Sequence, residues 1–93
     1  MIKKTRDARS GATKVTFALP ADLVDGTVSV VGTCNHWTPG THVLRRRSNG
    51  TISTSVLVHP GEELRFRYLA TGGRWFDDET ADAITTDGSV VRV

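Results

Sequence analysis

From Glu63 to Ala70 the chain alternates almost without fault: Leu64, Phe66, Tyr68 and Ala70 take every second position, with Glu63, Arg65, Arg67 and Leu69 between them. Successive side chains leave a β-strand on opposite sides, so a period of two marks a strand with one face buried and the other wet. Such a strand cannot stand alone. It needs neighbours to complete its hydrogen bonds and a second layer to cover its apolar face. The same alternation returns in Val15, Phe17 and Leu19, with Pro20 closing the segment, and again in Val28 and Val30. Turn formers separate these stretches at Asp25-Gly26, Ser48-Asn49-Gly50, His59-Pro60-Gly61 and Thr71-Gly72-Gly73; they supply the backbone freedom or local hydrogen bonds that reversals use. Strands are therefore predicted over residues 14–19, 27–32, 42–46, 51–58 and 63–70, in a short piece holding Trp75 and Phe76, and over 90–93. About seven short strands, with helical signals nearly absent, predict an all-β, immunoglobulin-like sandwich of antiparallel strands. Its core is expected to hold Val15, Phe17, Val28, Val30, Leu64, Phe66 and Tyr68.

At 93 residues there is room for one domain and none for a second. The hydrophobic share of 38% and charged share of 24% suit a soluble, ordered chain. No apolar run approaches the ~20 residues of a membrane span, and no membrane partner is expected. Met1-Ile2-Lys3-Lys4 leads into further charge rather than an apolar stretch, so it does not read as a secretory signal. Cys34 is the only cysteine, which rules out an internal disulfide and suits a reducing compartment; the expected location is the cytoplasm. The net charge of +2 is unevenly spread. Lys3, Lys4, Arg6, Arg9 and Lys14 face only Asp7 near the start, which leaves the remainder net acidic. Residues 1–12 are read as a basic tail that frays, and residues 13–93 as the sandwich. Arg45-Arg46-Arg47 is the basic cluster inside the folded part, and Asp77, Asp78, Glu79, Asp82 and Asp87 read as a solvated acidic loop.

Catalytic chemistry finds little to use. His36, His42 and His59 have no metal-ligand spacing, no Gly-x-Ser-x-Gly elbow occurs, and the 77–87 carboxylates sit together in one wet stretch without calcium-loop spacing. Paired carboxylates can hydrolyse a glycosidic bond only across a cleft, and a small sandwich offers none. No enzyme activity, cofactor or metal is expected, and Cys34 reads as a small core residue. Two indoles remain. Trp37 lies among turn formers, and Trp75 follows a Gly-Gly turn. Each is either a plug closing an end of the sandwich or an exposed platform, since the flat face of an indole matches the C–H face of a sugar ring. Arg67 falls on the face of its strand opposite the apolar stripe, where guanidinium donors suit hydroxyls.

Val28-Ser29-Val30-Val31-Gly32-Thr33-Cys34-Asn35-His36-Trp37 resembles the V-x-V-x-G-x-F-N-x-W stretch of family 48 carbohydrate-binding modules, the isoamylase early-set domains. Such modules stand at the front of isoamylases and branching enzymes and form the glycogen-binding domain of the AMP-activated protein kinase β subunit. Further segments follow in the family's order: Leu44 to Gly50, Pro60-Gly61-Glu62 through Arg65-Phe66-Arg67-Tyr68, Gly73-Arg74-Trp75 with Asp78, and Ser89-Val90-Val91-Arg92-Val93. The likeness covers residues 13–93. It implies a non-catalytic module that binds glycogen, starch-type α-glucan or maltooligosaccharide. By position, Trp37 and Trp75 match stacking tryptophans, Arg67 a sugar-contacting basic residue, and Ile84 an aliphatic side chain set against the sugar ring. Cys34 departs from the family's Phe, Gly88 replaces a hydrogen-bonding Asn, and the stretch from Ala83 to Gly88 is short. The alternative is a protein-interaction domain of the same fold that docks onto a glycogen-metabolising enzyme or another partner without binding sugar. Nucleic acid is disfavoured, because the basic segments carry no interleaved stacking aromatics.

Overall fold

A computed structural model describes residues 1–23 and 26–93. Ten strands follow in chain order: β1 (Ile2–Arg6), β2 (Thr13–Pro20), β3 (Val28–Gly32), β4 (His42–Val43), β5 (Arg45–Arg46), β6 (Thr51–Val58), β7 (Glu63–Ala70), β8 (Arg74–Phe76), β9 (Ala83–Thr85) and β10 (Gly88–Arg92). A single 3-10 turn, Thr33–Asn35, interrupts them, and no α-helix occurs among the described residues. The first sheet has the order β1-β2-β6-β5; the second has β4-β3-β7-β10-β9, with β8 also paired to β7. Every pairing is antiparallel. The chain is the expected all-β sandwich of two antiparallel sheets.

The alternation read from the sequence sets which face of each strand turns inward. Val15, Phe17, Val28, Val30, Leu64, Phe66 and Tyr68 are all buried in one core cluster. At its centre Phe17, Phe66 and Tyr68 meet edge to face, with ring centroids 4.7 Å apart for Phe17–Phe66 and 5.3 Å for Phe66–Tyr68. Phe76 extends the group at 5.1 Å from Tyr68. Edge-to-face contact sets the positive rim of one ring against the negative face of the next, a preference worth about 0.5–1.5 kcal/mol beyond burial.

Three expectations change. The stretch 42–46 is not one strand. His42–Val43 pairs with β3, Arg45–Arg46 pairs with β6 in the other sheet, and buried Leu44 lies between them, its amide donating to Val28 O at 2.8 Å. The chain changes sheets there, which alternation alone cannot show. The acidic loop holds a strand of its own, β9, which with β1 and the division of 42–46 raises the count to ten from about seven. Residues 1–12, expected to fray, instead supply β1, which runs from Ile2 opposite Phe17 to Arg6 opposite Thr13. Its turn closes through Asp7, whose amide donates to Ala12 O at 2.8 Å and whose carboxylate accepts from Ser10 Oγ at 2.9 Å. Lys4 then reaches across to Asp82 at 2.7 Å and ties the first sheet to the loop before β9. The expected Asp25-Gly26 turn lies partly outside the described residues, since Asp25 is not among them.

Candidate functional site

The outer face of the second sheet brings together two of the four candidates, Arg67 and Trp75. In β7 the residues Arg65, Arg67 and Leu69 point away from the core, because Leu64, Phe66 and Tyr68 point into it. Leu69 stands opposite Trp75 of β8 on one side and Ser29 of β3 on the other, and Ser29 stands opposite Val43 of β4. One row across four strands thus reads Val43, Ser29, Leu69, Trp75. Directly opposed Cβ atoms lie about 4.5–5.5 Å apart, and a diagonal neighbour such as Arg67 to Trp75 lies at about 7–8 Å. Trp75 is 50% exposed. Leu69 was not singled out from the sequence. Its phase on β7, two residues beyond Arg67, was the available signal, and only the pairing to β8 sets it beside an indole.

Arg67 is held in place. Its Nη2 donates to Thr86 O at 2.6 Å, and its Nε lies 3.8 Å from Asp77 Oδ1, which also accepts from Ser89 Oγ at 3.0 Å. Gly88 makes room for it. A Cβ there would come within 3.2 Å of Arg67 Cγ and 2.7 Å of Phe66 O, and φ is +127°. An Asn at this position would meet both obstacles. A guanidinium has five donors, of which Nη2 is engaged by Thr86 and Nε faces Asp77.

Trp37 is placed differently, on the loop after β3 near the Gly32 end of that strand. Its amide donates to Gly32 O at 2.8 Å. Gly32 is required by close approach, since a Cβ would sit 2.1 Å from Arg65 O. Asn35 organises the loop from within. Its side chain is buried, donates from Nδ2 to Val30 O at 2.8 Å, and accepts at Oδ1 from the amides of Gly32 at 3.1 Å and Thr38 at 3.3 Å. The loop then bends through two consecutive non-glycine residues of left-handed backbone, His36 at φ 53° and Trp37 at φ 59°. L-residues pay about 1–2 kcal/mol for that region. Trp37 remains 42% exposed. Exposed His36 gives a direct test. Gly relieves the steric cost but has about 0.5–1 kcal/mol more backbone entropy to lose, so His36→Gly should stabilise the fold by roughly 0.5–1 kcal/mol. Thermal unfolding should show Tm rising by about 2–6 °C, and a falling Tm would deny the strain.

Ile84 is exposed on β9, but its register sets it opposite Ser89, which shares the inward side of Phe66. It is therefore not brought into the row of Leu69 and Trp75. None of the four candidates lines either of the two concavities found among the described residues. A concavity of about 330 Å³ lies among Met1, Leu19, Leu23, Phe76 and residues 77–80, and a smaller one of about 150 Å³ borders Cys34 and Leu57. Burial pushes the Cys34 thiol above its ordinary pKa. Arg67 and Trp75 share an open sheet face, with Trp37 and Ile84 outside their row.

Asp78 departs from the solvated loop expected of it. It is 4% exposed and accepts hydrogen bonds from Tyr68 OH at 2.6 Å and from Thr80 Oγ1 at 2.6 Å and N at 2.8 Å. Its own amide donates to Ser89 Oγ at 3.0 Å. Burial acts to raise the Asp78 pKa, but the donors from Thr80 and Tyr68 outweigh it and hold the carboxyl below the usual range. Desolvation, and then the hydrogen bond to Asp78, push the Tyr68 phenol well above its ordinary value. The network anchors residues 77–80 to the core beside β8, and so fixes where Trp75 stands.

Comparison with known proteins brings no match to a family model and none to a curated sequence.

Proposed function

We propose that this protein is a non-catalytic α-glucan-binding module of glycogen or starch-type chains, with the outer face of the second sheet as its platform. The carrying observation is Trp75, half exposed, flanked on one side by Leu69 and diagonally by an Arg67 already oriented by Thr86 and Asp77. An indole and an aliphatic neighbour offer an apolar plane to a sugar ring, while a fixed guanidinium offers donors to its hydroxyls. The backbone cost at Trp37 supports the same reading. Strain in a folded chain is retained where the surrounding structure imposes it, often at binding sites. The ordered likeness to family 48 carbohydrate-binding modules adds the ligand class.

An open platform desolvates little of its ligand, so affinity for β-cyclodextrin or maltoheptaose should fall between about 10 μM and 1 mM. Trp75→Ala and Trp37→Gly should each weaken binding by about 1–3 kcal/mol, as aromatic anchors do. Trp37→Gly is the sharper of the two, because it deletes the indole while relieving the backbone, so folding stability should not fall with affinity. Calorimetric titration of the variants beside their thermal unfolding decides the matter. Unchanged sugar binding in both variants, or no sugar binding by the natural chain, would reject the platform. Loss of a protein partner's binding through the same two indoles would then favour an interaction domain that docks onto a glycogen-metabolising enzyme.

A further inference from the structure

The two sheets of this chain differ in how their charges are paired. None of the ten Asp and Glu residues lies in a strand of the first sheet, whose strands carry Lys3, Lys4, Arg6, Lys14, Arg45 and Arg46. Of the second sheet's four arginines, Arg65, Arg67 and Arg92 are each within ion-pairing distance of Glu63, Asp77 or Asp87, and Arg74 alone has no such partner among the described residues. On the first sheet Lys4 alone has such a partner, Asp82. The register then decides which cations share a face. Val15, Phe17 and Leu19 turn inward, so Lys14, Thr16 and Ala18 turn outward, and their partners turn outward with them: Thr5 and Leu57 beside Lys14, Lys3 and Ser55 beside Thr16, Ser53 beside Ala18. Arg45 joins this face opposite Ser53, and Arg47 folds onto it by donating from Nε to Ser53 Oγ at 2.8 Å. Lys3, Lys14, Arg45 and Arg47 are exposed, and no ion pair among the described residues involves them.

Between these cations lie small hydroxyl residues, with Thr16 and Ser55 hydrogen-bonded to each other at 3.0 Å. One large apolar side chain, Leu57, stands out of the face at 59% exposure. No aromatic residue lies in the outward positions, which removes the stacking that single-stranded nucleic acid uses. A broad sheet face lets its dispersed cations meet a plane together, and an exposed aliphatic residue is of use against lipid and of none against a phosphate backbone. From charge, shape and this one apolar group together, we infer that the outer face of the first sheet docks onto an anionic phospholipid bilayer. Clusters of about four to eight basic residues bind such surfaces at roughly 1 kcal/mol per cation. The expectation of no membrane partner rested on the lack of a membrane span, whereas this contact needs none. It goes beyond glucan binding and uses the opposite side of the sandwich, so the two can operate together.

The test is sedimentation of the full chain with vesicles of phosphatidylserine mixed with phosphatidylcholine, beside vesicles of phosphatidylcholine alone. Binding is expected only to the anionic vesicles and should weaken as salt rises. Lys14→Gln and Arg45→Gln should each lower vesicle affinity about fivefold, and together about 30-fold, or ~2 kcal/mol. Both positions are exposed and belong to the other sheet from Trp75 and Arg67, so cyclodextrin binding should not change. Absence of binding to the anionic vesicles, or equal binding by the double variant, overturns the proposal. Tighter binding to duplex DNA than to the anionic vesicles also overturns it, and would assign the face to nucleic acid.

Discussion

Replacing Phe66 by Ala should remove about 3–5 kcal/mol of folding stability. Phe66 is fully buried between the two sheets, with its ring edge to face against both Phe17 and Tyr68. The cavity left by truncation has little room to collapse. Phe66 stands opposite Gly32 of β3 and Ser89 of β10, and a Cβ at Gly32 would already lie 2.8 Å from Phe66 Cα, so the neighbouring backbone is in contact before the mutation is made. A domain of this size has only about 5–14 kcal/mol in total, so the variant should be marginal at physiological temperature. Urea unfolding checks this through the midpoint at constant slope. Phe66→Leu keeps most of the volume and should cost less than half as much. Equal losses for the two variants would show that ring geometry, and not volume, dominates the site.

Asp78→Asn should cost about 2–4 kcal/mol, because it breaks a buried set of charge-assisted hydrogen bonds. A carboxylate only accepts, and it faces three donors here, from Tyr68 and Thr80. An amide must turn donors of its own toward some of them. The pH dependence has a definite sign. The folded pKa of Asp78 lies below its unfolded value, so its contribution is complete above that unfolded value of about 4. It is lost as pH falls through the folded pKa. Asp82 acts in the same direction, its carboxyl held low by the hydrogen bond from Lys4 and then by the Arg92 amide. The Asn variant should therefore start less stable at neutral pH and lose less on acidification than the natural chain. Tyr68 has the opposite sign at the alkaline end. Its folded pKa is raised, so stability is undiminished below about pH 10 and falls above it as the unfolded chain ionises. Tyr68→Phe should flatten that alkaline limb. Parallel pH profiles for natural chain and variants would mean that neither group is tied up as the contacts indicate.

How far the sequence reaches can be followed residue by residue. The whole of β6 and β7 was legible to the last residue, because alternation bounded by Asn-Gly, Pro-Gly and Gly-Gly turns is a local signal. Arg67 was legible as an outward residue for the same reason. The fate of residues 1–12 was not, since basic composition says nothing of whether Ile2 finds Phe17 across a turn. Asp78 was misread as a solvated loop carboxylate, because its burial depends on Tyr68, Thr80 and Ser89 arriving from elsewhere in the chain.

The division follows the range of the interactions. Sequence alone determined what depends on near neighbours: the longer strands β2, β3, β6 and β7, their inward faces, and therefore a two-layer β-sandwich with the core it was expected to have. Tertiary structure alone decided what depends on which strand lies beside which. That includes the crossing of the chain between sheets at Leu44, the meeting of Trp75 with Leu69 and Arg67, the exclusion of Ile84 from their row, and the gathering of Lys3, Lys14, Arg45 and Arg47 on one outer face. A strand's period tells each side chain which way to point, but hydrogen-bonded register between distant segments chooses its companions.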